Sequence, residues 1–465
     1  MEAQRKQKTS YEGFPAKVGV EPQSMQEAPS VSTAAKKQRN DADEYASNLL
    51  ERILDRDNLN RAYKRVKANR GAPGVDGMTV DELLPYLKAQ GEAIRQAVCQ
   101  GHYRPAPVRR VEIDKLGGGT RELGIPTVTD RMLQQAIVQV LSPLFEAGFS
   151  EHSYGFRPKR DAKQAVRAAQ AYISNGYKWV VDIDLARYFD TVNHDKLMAL
   201  VARKVCDKRV LTLIRAYLAS GVMLSGVVVD AEEGVPQGGP LSPLLSNVML
   251  DCLDKELEKR GHKFCRYADD CNIYVKSKRA AERVMESISA FLEEGLKLVV
   301  NREKSAVDRP WRRKFLGFSF YHRKGGVGVR VHAKAIARFK SEVRDILSRS
   351  NGRSTEQKLA RLTNKIVGWV NYFAIADMKN IAAALDEWIR RRLRMCIWKG
   401  WRKVRTRIKN LAKLGLDRRL AWMFANTRKG YWRVSGSPIL QRSLTNEYLS
   451  KLGFVSLSKR YSLVR

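Results

Sequence analysis

The chain has 465 residues, of which 44% are hydrophobic and 29% are charged, so it can hold several domains and a sizeable buried core. This composition excludes disorder along the whole chain, and 32 glycines and 15 prolines exclude a collagen-like or low-complexity chain. Lys and Arg outnumber Asp and Glu by 85 to 49, which gives a net charge of +36. Such an excess predicts a polyanionic partner, with nucleic acid as the first candidate and an anionic membrane surface as the second.

A membrane surface is the weaker of these two candidates. The sequence contains no run of about 18 apolar residues that could span a bilayer. Its first residues carry positive charge without the apolar segment of a secretory signal. We therefore expect no membrane partner, a cytoplasmic location and a nucleic acid as the main ligand.

The N-terminal part of the chain alternates helical and strand patterns. Residues 1–45 are polar and basic and lack apolar periodicity, which predicts a flexible basic tail. Apolar residues at helical spacing predict a single helix over 49–66. Short basic segments around three glycines predict a β-hairpin within 103–128, and further helices are expected at 130–145 and 161–175.

Two segments with strand character carry acidic residues at their ends. Residues 179–184 predict a buried strand, and residues 264–275 predict a hairpin with Asp269 and Asp270 in its tight turn. Helices and short strands thus mix through 45–325, which predicts an α+β fold for this part of the chain.

From about residue 330 onward the patterns are helical. An apolar stripe from Ile389 to Ile408 predicts one amphipathic helix, and ten Lys and Arg residues but no acid lie between Arg390 and Lys409. Such a helix can lie on a membrane surface or be simply solvated. Because Trp398 lies among the arginines and flat rings suit unstacked RNA bases, we interpret it as a helix that follows a nucleic-acid backbone.

In a chain this basic, acids within apolar strands are informative. A buried carboxylate is costly unless it is paired or bound to a metal, and carboxylates that converge at strand ends suit Mg²⁺. Two such ions can stabilise the attacking and leaving oxygens of a phosphoryl displacement. Alternation places Asp182 and Asp184 on one strand face, so spacing alone does not choose between them. A capped strand end and an ordinary Asp-Asp turn are the structural alternatives.

The ordered set of motifs around these acids resembles the reverse transcriptases encoded by group II introns, and most closely the bacterial group IIC branch. The resemblance covers about residues 46–465. The strings that carry it are GAPGVDG (71–77), YRPAPVRRVEI (103–113), GGGTRELGIPTVTDR (117–131), SYGFRPKRDAKQAV (153–166), DLARYFD (184–190), GVPQGGPLSPLLSNVML (234–250), RYADD (266–270), FLGF (315–318), GWVNYF (368–373) and ANTRKG (425–430). The full ordered set is far more specific than any one string.

The resemblance implies a right-hand polymerase whose catalytic carboxylates bind two Mg²⁺ ions. It selects Asp184 over Asp182 and assigns Asp184 and Asp269 to both metals, with a less direct contribution from Asp270. Asp182 then becomes a supporting or structural acid. Lys304 matches the family's lysine near the pyrophosphate and is expected to act as general acid for the leaving group, with an ordinary surface lysine as the alternative.

The resemblance also implies a set of dNTP-binding residues. Lys115 and Arg121 flank the glycine turn and are expected to close over the triphosphate, although a solvated hairpin against the template backbone is the alternative. Phe189 is expected beneath the incoming sugar, where its ring excludes a 2′-hydroxyl, unless it is a core aromatic. Gln237 is expected to hydrogen-bond the nucleotide, with an ordinary Pro-Gly turn as the alternative.

The remaining expected contacts concern the primer and the nucleic-acid backbone. Leu316, Gly317 and Phe318 resemble the turn that holds the primer terminus, or they form a hydrophobic hairpin between palm and thumb. The candidate backbone contacts are cationic side chains, which sequence cannot separate from solvated ones: Arg109, Arg110, Arg157, Arg391, Arg394, Arg402, Arg405 and Lys429.

The resulting hypothesis has four segments: a flexible basic tail (1–45), reverse transcriptase fingers and palm (46–325), a helical thumb and maturase region (326–405), and a basic DNA-binding module (406–465). The expected function is RNA-directed DNA polymerisation with assistance to intron splicing and to retrohoming by target-primed reverse transcription. The expected partners are intron RNA, template RNA, primer DNA, target DNA and dNTPs, with the protein associated with the bacterial nucleoid or a ribonucleoprotein. The sequence leaves the oligomeric state open.

Two other functions remain open at this stage. One is an RNA-binding splicing factor without an active polymerase, and the other is a domesticated or defence-type reverse transcriptase. The sequence lacks the Cys and His clusters of an HNH nuclease, so we expect no cleavage of the second target strand.

Overall fold

The computed structural model of the chain describes residues 48–114, 120–224, 227–229 and 233–465. Strands and helices alternate up to about residue 331, and the remainder is helical. The expected α+β fold followed by a helical region is therefore confirmed. The predicted tail at 1–45 lies outside the described residues. In the described part, no helix is both long and apolar enough to cross a membrane.

Three helices lie in the first described part of the chain, from residue 48 to 114: α1 (Leu49–Ile53), α2 (Arg56–Asn69) and α3 (Leu83–Cys99). The single helix predicted over 49–66 is wrong, because Asp55 interrupts it. The Asp55 side chain accepts hydrogen bonds from the backbone N–H groups of Asp57 and Asn58, which makes it the N-cap of a new helix. The apolar spacing runs across this break, so periodicity alone does not reveal it.

Three sheets organise the strands. The first sheet has the order β2–β1–β4–β5, with β1 (Val108–Asp114), β2 (Thr120–Ile125), β4 (Val222–Leu224) and β5 (Val227–Val229). The second has the order β6–β7–β3–β8, with β3 (Trp179–Ile183), β6 (Lys263–Tyr267), β7 (Asp270–Val275) and β8 (Ala306–Asp308). A third pairs β9 (Phe318–Arg323) with β10 (Gly326–Val331). Both predicted hairpins are confirmed as antiparallel strand pairs.

Six helices connect these strands in the described residues. They are α4 (Val128–Glu146), α5 (Ala162–Ser174), α6 (His194–Ala202), α7 (Lys208–Leu218), α8 (Ser242–Lys259) and α9 (Lys278–Ala290). Three of them, α5, α8 and α9, pack on the second sheet. The predicted helices at 130–145 and 161–175 correspond to α4 and α5. A capping box between Asp161 and Gln164 fixes the start of α5, and its apolar face packs on β6 and β10.

The C-terminal region consists of nine helices in the described residues. They are α10 (Ala333–Ile346), α11 (Thr355–Phe373), α12 (Lys379–Gly400), α13 (Val404–Lys413), α14 (Arg418–Ala425), α15 (Tyr431–Ser435), α16 (Pro438–Ser443), α17 (Asn446–Lys451) and α18 (Leu457–Val464). One apolar core joins these helices to β9, β10 and α5.

The single basic helix predicted over 389–408 is two helices. Helix α12 ends at Gly400, and Trp401 leaves helical geometry with φ −81° and ψ 68°. The Trp401 ring packs against Trp398, which is itself 1% exposed, so the chain turns around this aromatic contact. Val404, predicted on the apolar stripe, is consequently exposed on α13.

Candidate active site

The acidic residues meet at one end of the second sheet. Strand β3 pairs antiparallel with β7 so that Ile183 lies opposite Cys271, which places Asp184 beside the start of β7. Tyr267 pairs with Asp270, so the two-residue turn consists of Ala268 and Asp269. The prediction of Asp269 and Asp270 in the turn is therefore wrong by one residue, because Asp270 already belongs to β7.

Asp184 is held by the loop that precedes β8. Its backbone N–H donates to Ser305 Oγ at 3.0 Å, and its carbonyl accepts from the backbone N–H of Asn301 at 2.8 Å. Lys304 Nζ lies 3.3 Å from Asp184 Oδ2, although the Lys304 side chain is largely exposed. Asp184 Oδ2 is buried and accepts no hydrogen bond. A buried carboxylate oxygen with only a neighbouring ammonium group as partner is suited to a cation.

Asp182 is paired with Arg313. The Arg313 guanidinium donates to Asp182 Oδ2 at 2.9 and 2.6 Å, and it also donates to the backbone carbonyl of Lys304 at 2.8 Å. Burial raises the pKa of Asp182, and the Arg313 cation acts in the opposite direction. Arg313 thus connects the Asp182 carboxylate to the backbone of Lys304, whose side chain lies beside Asp184.

The carboxylates interact across the strand ends. Desolvation, followed by the charges of Asp269, Asp182 and Asp184, raises the pKa of Asp270 to about 6, although the residue as a whole is exposed at the turn. A cleft of about 1200 Å³ opens beside these residues and is also lined by Lys304. Repulsion between clustered carboxylates is relieved by a divalent cation.

These oxygens fit a divalent cation in chemical type. Their carboxylate donors are hard ligands of the kind that Mg²⁺ prefers, and one of them, Asp184 Oδ2, has no hydrogen-bond donor. In the described residues no group of three or more His, Cys, Asp or Glu side chains is arranged so that it could hold a metal ion. Mg²⁺ commonly takes only one or two protein carboxylates and completes its shell with water and phosphates.

The expected dNTP-binding residues are only partly described. Lys115 lies outside the described residues, and so does the side chain of Arg121. Phe189 is half-buried in a short 3₁₀ turn (Tyr188–Asp190), with its ring 5.2 Å from that of Tyr188. Tyr188 is the buried member of this pair, so it supplies the core contact that was the alternative role for Phe189.

The loop that carries Gln237 packs on the end of β2. The Gln237 carbonyl accepts a hydrogen bond from the backbone N–H of Gly124 at 2.7 Å. Gly238 has φ +120°, and a side chain there would overlap the Gly124 carbonyl. The loop therefore packs closely against the first sheet at Gly238, and the contact of Gln237 with the nucleotide remains a prediction.

The predicted primer-holding turn lies between the second sheet and α11. Phe315 and Phe318 exchange backbone hydrogen bonds at 2.9 and 2.8 Å, and Leu316 and Gly317 form the turn with φ 51° and 84°. The Tyr372 hydroxyl donates to the Leu316 carbonyl at 2.9 Å. Leu316 and Gly317 line the same cleft as the acids, whereas the Phe318 side chain is fully buried.

Two predicted nucleic-acid contacts are wrong because their side chains are buried in the protein. Arg157 donates to Glu146 and to the carbonyls of Ser150 and Ser153. Arg394 donates to the Leu444 carbonyl and to Asn446. Trp398, expected to stack on RNA bases, is likewise buried, with the Arg407 guanidinium 4.7 Å from its ring centre. None of these three side chains is available to an external ligand.

The other cationic residues differ in exposure. Arg110 pairs with Glu122 across the first hairpin, Arg109 is half-buried, and Arg391 lies 4.1 Å from the Trp432 ring centre. Arg402, Arg405 and Lys429 are exposed. As nucleic-acid contacts these six residues remain predictions.

Three residues that position the acids were missed by sequence reasoning: Ser305, Arg313 and Arg266. Ser305 and Arg313 lie in a loop more than 120 residues from their partners on β3, so no local pattern points to them. Arg266 did carry a signal, because a cation in the middle of an apolar strand must be buried or paired. It is fully buried just before the acidic turn.

Two family models match successive parts of the chain. The reverse transcriptase (RNA-dependent DNA polymerase) family matches residues 113–320, and the group II intron, maturase-specific domain matches residues 336–415. The first match contains the whole acidic site, and the second runs from within α10 to the end of α13. The domain limits expected from sequence are not tested by these matches.

Three relatives illustrate what the chain is similar to. Protein YkfC of Escherichia coli (strain K12) is 35% identical over 299 residues, which are 56% of this chain and 78% of YkfC. Group II intron-encoded protein LtrA of Lactococcus lactis subsp. cremoris is 27% identical over 358 residues, 63% of this chain and 59% of LtrA. An uncharacterized 91 kDa protein in the cob intron of Schizosaccharomyces pombe is 32% identical over 219 residues, 46% of this chain and 26% of that protein.

The matched region covers most of the length of YkfC but less than two thirds of the length of LtrA. Its fold, its acidic site and its two family matches agree with the resemblance found in the sequence. The chain belongs to the group II intron-encoded reverse transcriptases that carry a maturase domain, a family of RNA-directed DNA polymerases that use divalent metal ions and bind intron RNA, template and primer.

Proposed function

We propose that this chain adds dNTPs to the 3′-hydroxyl of a primer on an RNA template, with two Mg²⁺ ions held by Asp184, Asp269 and Asp270. The observation that carries this proposal is the position of these acids at one end of one sheet, beside a cleft of about 1200 Å³. Divalent cations, when bound there, stabilise the attacking and leaving oxygens of the displacement. The protein's part is to position the reactants and to exclude wrong substrates.

Lys304 is proposed to donate a proton to the leaving pyrophosphate. Its ammonium group already lies 3.3 Å from Asp184 Oδ2, and Arg313 holds its backbone carbonyl. Because the side chain is largely exposed, it can turn from Asp184 toward a phosphate oxygen when substrate enters. A lysine in this position also offsets the charge that develops on the leaving group.

Phe189 and the turn at Leu316 and Gly317 are proposed to contact the two substrates. The half-buried Phe189 ring follows Asp184 by five residues and rests on Tyr188, which limits its movement. A fixed ring at the sugar favours dNTP over NTP through a clash with the 2′-hydroxyl. Leu316 and Gly317 line the same cleft as the acids and are tied to α11 through Tyr372, which suits a contact with the primer end.

The proposed biological role is to assist splicing of the chain's own intron RNA and its insertion into DNA by target-primed reverse transcription. The maturase-domain match and the resemblance to LtrA support this role, and a net charge of +36 offsets phosphate repulsion on a folded RNA. Target DNA and the bacterial nucleoid, or a ribonucleoprotein, are the proposed partner and location.

Substitution of Asp269 tests the polymerase proposal. Asp269→Ala should reduce extension of a DNA primer on an RNA template on the order of 10³-fold or more, because it removes a proposed metal ligand. Binding of intron RNA should remain, since the turn is remote from the basic helices in sequence and the change removes only one charge. Asp195→Ala is the matched control, because Asp195 is exposed on α6 and pairs only with Arg215. Polymerisation that survives Asp269→Ala would contradict the site.

A further inference from the structure

A buried arginine stands behind the acidic turn. Arg266 lies on β6, two residues before the turn begins, and its side chain is fully buried. All five N–H groups of its guanidinium have an acceptor, and each acceptor belongs to a buried residue. These acceptors are Asp254 Oδ1 (2.7 Å) and Oδ2 (2.5 Å), Ser153 Oγ (2.7 Å), Asn247 Oδ1 (3.1 Å) and the Ala268 carbonyl (3.0 Å).

The bond to Ala268 fixes the peptide group that leads into Asp269. Ala268 is the first residue of the two-residue turn and has φ 57°, a conformation that non-glycine residues rarely adopt. Its carbonyl belongs to the peptide plane it shares with Asp269, so the orientation of this plane sets the direction of the Asp269 Cα–Cβ bond. Arg266 is thus a direct restraint on the backbone that presents the carboxylate.

Hydrogen bonds of the same network also hold the other side of the turn. Asn247, on α8, accepts from Arg266 and donates from its amide to the Gly155 carbonyl at 2.9 Å. Gly155 packs so closely on the turn that a methyl group there would overlap the backbone of Tyr267 and Ala268. The Arg266 backbone also bonds to the segment before Gly155, at His152 and Tyr154. Two distant segments, α8 and residues 152–155, therefore hold this one turn.

Stability alone is a poor explanation for this arrangement. A buried ion pair costs desolvation that its attraction often fails to exceed, and apolar replacements of such pairs are frequently neutral or stabilising. An apolar pair at Arg266 and Asp254 would fill the same space, but it could not hold the Ala268 carbonyl. The distinctive property of the arginine is its rigid five-donor fork.

We propose that Arg266 is a positioning residue that fixes the Ala268–Asp269 peptide group and thereby aims the Asp269 carboxylate for divalent-cation binding. The inference rests on the proposed function, because it assigns Asp269 to the metal. Arg266 does not touch substrate or metal and acts only through the turn. Its loss should therefore weaken metal binding more than it changes folding, in the way that partners of metal ligands generally do.

The test compares variants of the full chain that separate three properties of Arg266: its charge, its packing and the five-donor geometry of its guanidinium group. Arg266→Met combined with Asp254→Leu removes the buried pair without leaving a lone charge. Arg266→Lys retains the charge but cannot reach all five acceptors. Asn58→Ala is the control, because Asn58 is a buried polar residue that joins α2 to α4 through hydrogen bonds away from the turn.

Three measurements are made on each variant: thermal unfolding, Mn²⁺ binding followed by the electron paramagnetic resonance signal of free Mn²⁺, and primer extension as a function of Mg²⁺ concentration. For both Arg266 variants we expect about a tenfold or larger increase in the Mn²⁺ and Mg²⁺ concentrations at half-saturation. The double variant should unfold within a few degrees of the unchanged protein. Asn58→Ala should lower the unfolding temperature and leave the Mn²⁺ and Mg²⁺ concentrations at half-saturation unchanged.

Each other outcome has a definite meaning. A folded double variant or Arg266→Lys protein with unchanged Mn²⁺ binding and extension would overturn the inference and leave the proposed polymerase function intact. If neither variant folds, Arg266 is a structural residue and the inference is also overturned. If the unchanged protein binds Mn²⁺ but extends no primer, the polymerase proposal fails. Loss of Mn²⁺ binding in the Arg266 variants would still support the positioning role in that case.

Discussion

The arginines beside the second sheet and those between residues 390 and 409 are held by different partners. Beside the second sheet, Arg266 pairs with Asp254 and Arg313 with Asp182. On α12, Arg394 donates instead to the Leu444 carbonyl and to the side-chain oxygen of Asn446. No acid is present between Arg390 and Lys409.

This difference assigns the two regions different electrostatic tasks. Where carboxylates neutralise the arginines, the charge left over at the strand ends is that of Asp184, Asp269 and Asp270, which suits a site for cations. Between residues 390 and 409 the segment has no acid of its own, so its net positive charge attracts phosphates, although the buried Arg394 side chain makes no phosphate contact itself. The same residue type therefore suits a cation site in one region and a polyanion-binding surface in the other.

The largest effect expected in this comparison comes from removing a cation beside the second sheet. Arg313→Met leaves the half-buried Asp182 carboxylate without its cationic partner beside Asp184 and frees the carbonyl of Lys304. We expect primer extension to fall about 10²-fold, because both the acid and the lysine of the site lose their support. Rates at saturating dNTP measure the effect.

The neighbouring arginine provides the control for this prediction. Arg312 is mostly exposed and lies 3.7 Å from Asp308, a surface ion pair of little energetic value. Arg312→Met should leave the rate within about twofold of the unchanged protein, since exposed pairs contribute little. Equal losses in both variants would mean that the net charge of the loop matters, rather than the pairing of Arg313 with Asp182.

Sequence patterns predicted the second sheet well, because its determinants are local. The strand before Asp184 and the hairpin that carries Asp269 and Asp270 follow from short apolar runs and turn residues, whereas the turn at Leu316 was expected from the family resemblance. The one-residue error at the acidic turn arose because Ala268, rather than a typical turn residue, adopts the positive φ. Propensity gives no warning of a conformation that the surrounding packing imposes.

The failures of prediction are nonlocal. The stripe from Ile389 to Ile408 is periodic across the break at Gly400, because both helices turn an apolar face to one core. Arg394 was expected at the surface because its acceptors lie about 50 residues away. Arg157 is an exception, since its acceptors Glu146, Ser150 and Ser153 are close in sequence but no periodic pattern marks them. A cation's role depends on these partners, and a single sequence does not contain them.

The second prediction sharpens the contrast within the C-terminal helices. Arg394→Met should lower the free energy of unfolding by about 1–3 kcal/mol, because the buried Leu444 carbonyl loses its charged donor. Urea unfolding measures this change. The affinity for RNA should keep the same salt dependence, since a buried guanidinium makes no phosphate contact. A changed salt dependence with unchanged stability would mean that Arg394 contacts nucleic acid, as the sequence predicted.

The smallest expected effect belongs to the exposed cations beyond α12. Arg402 and Arg405 are exposed, and no hydrogen bond of their side chains was found among the described residues. Replacing both by Ala should leave unfolding unchanged and reduce the slope of log affinity against log salt by about 1–2, since each phosphate contact contributes about 0.7–0.9. Filter binding of an RNA–DNA hybrid at several salt concentrations measures the slope. An unchanged slope would mean that Arg402 and Arg405 make no phosphate contact and that the polyanion binds another basic surface. The proposed electrostatic role of the arginines without carboxylate partners would then not apply to this segment.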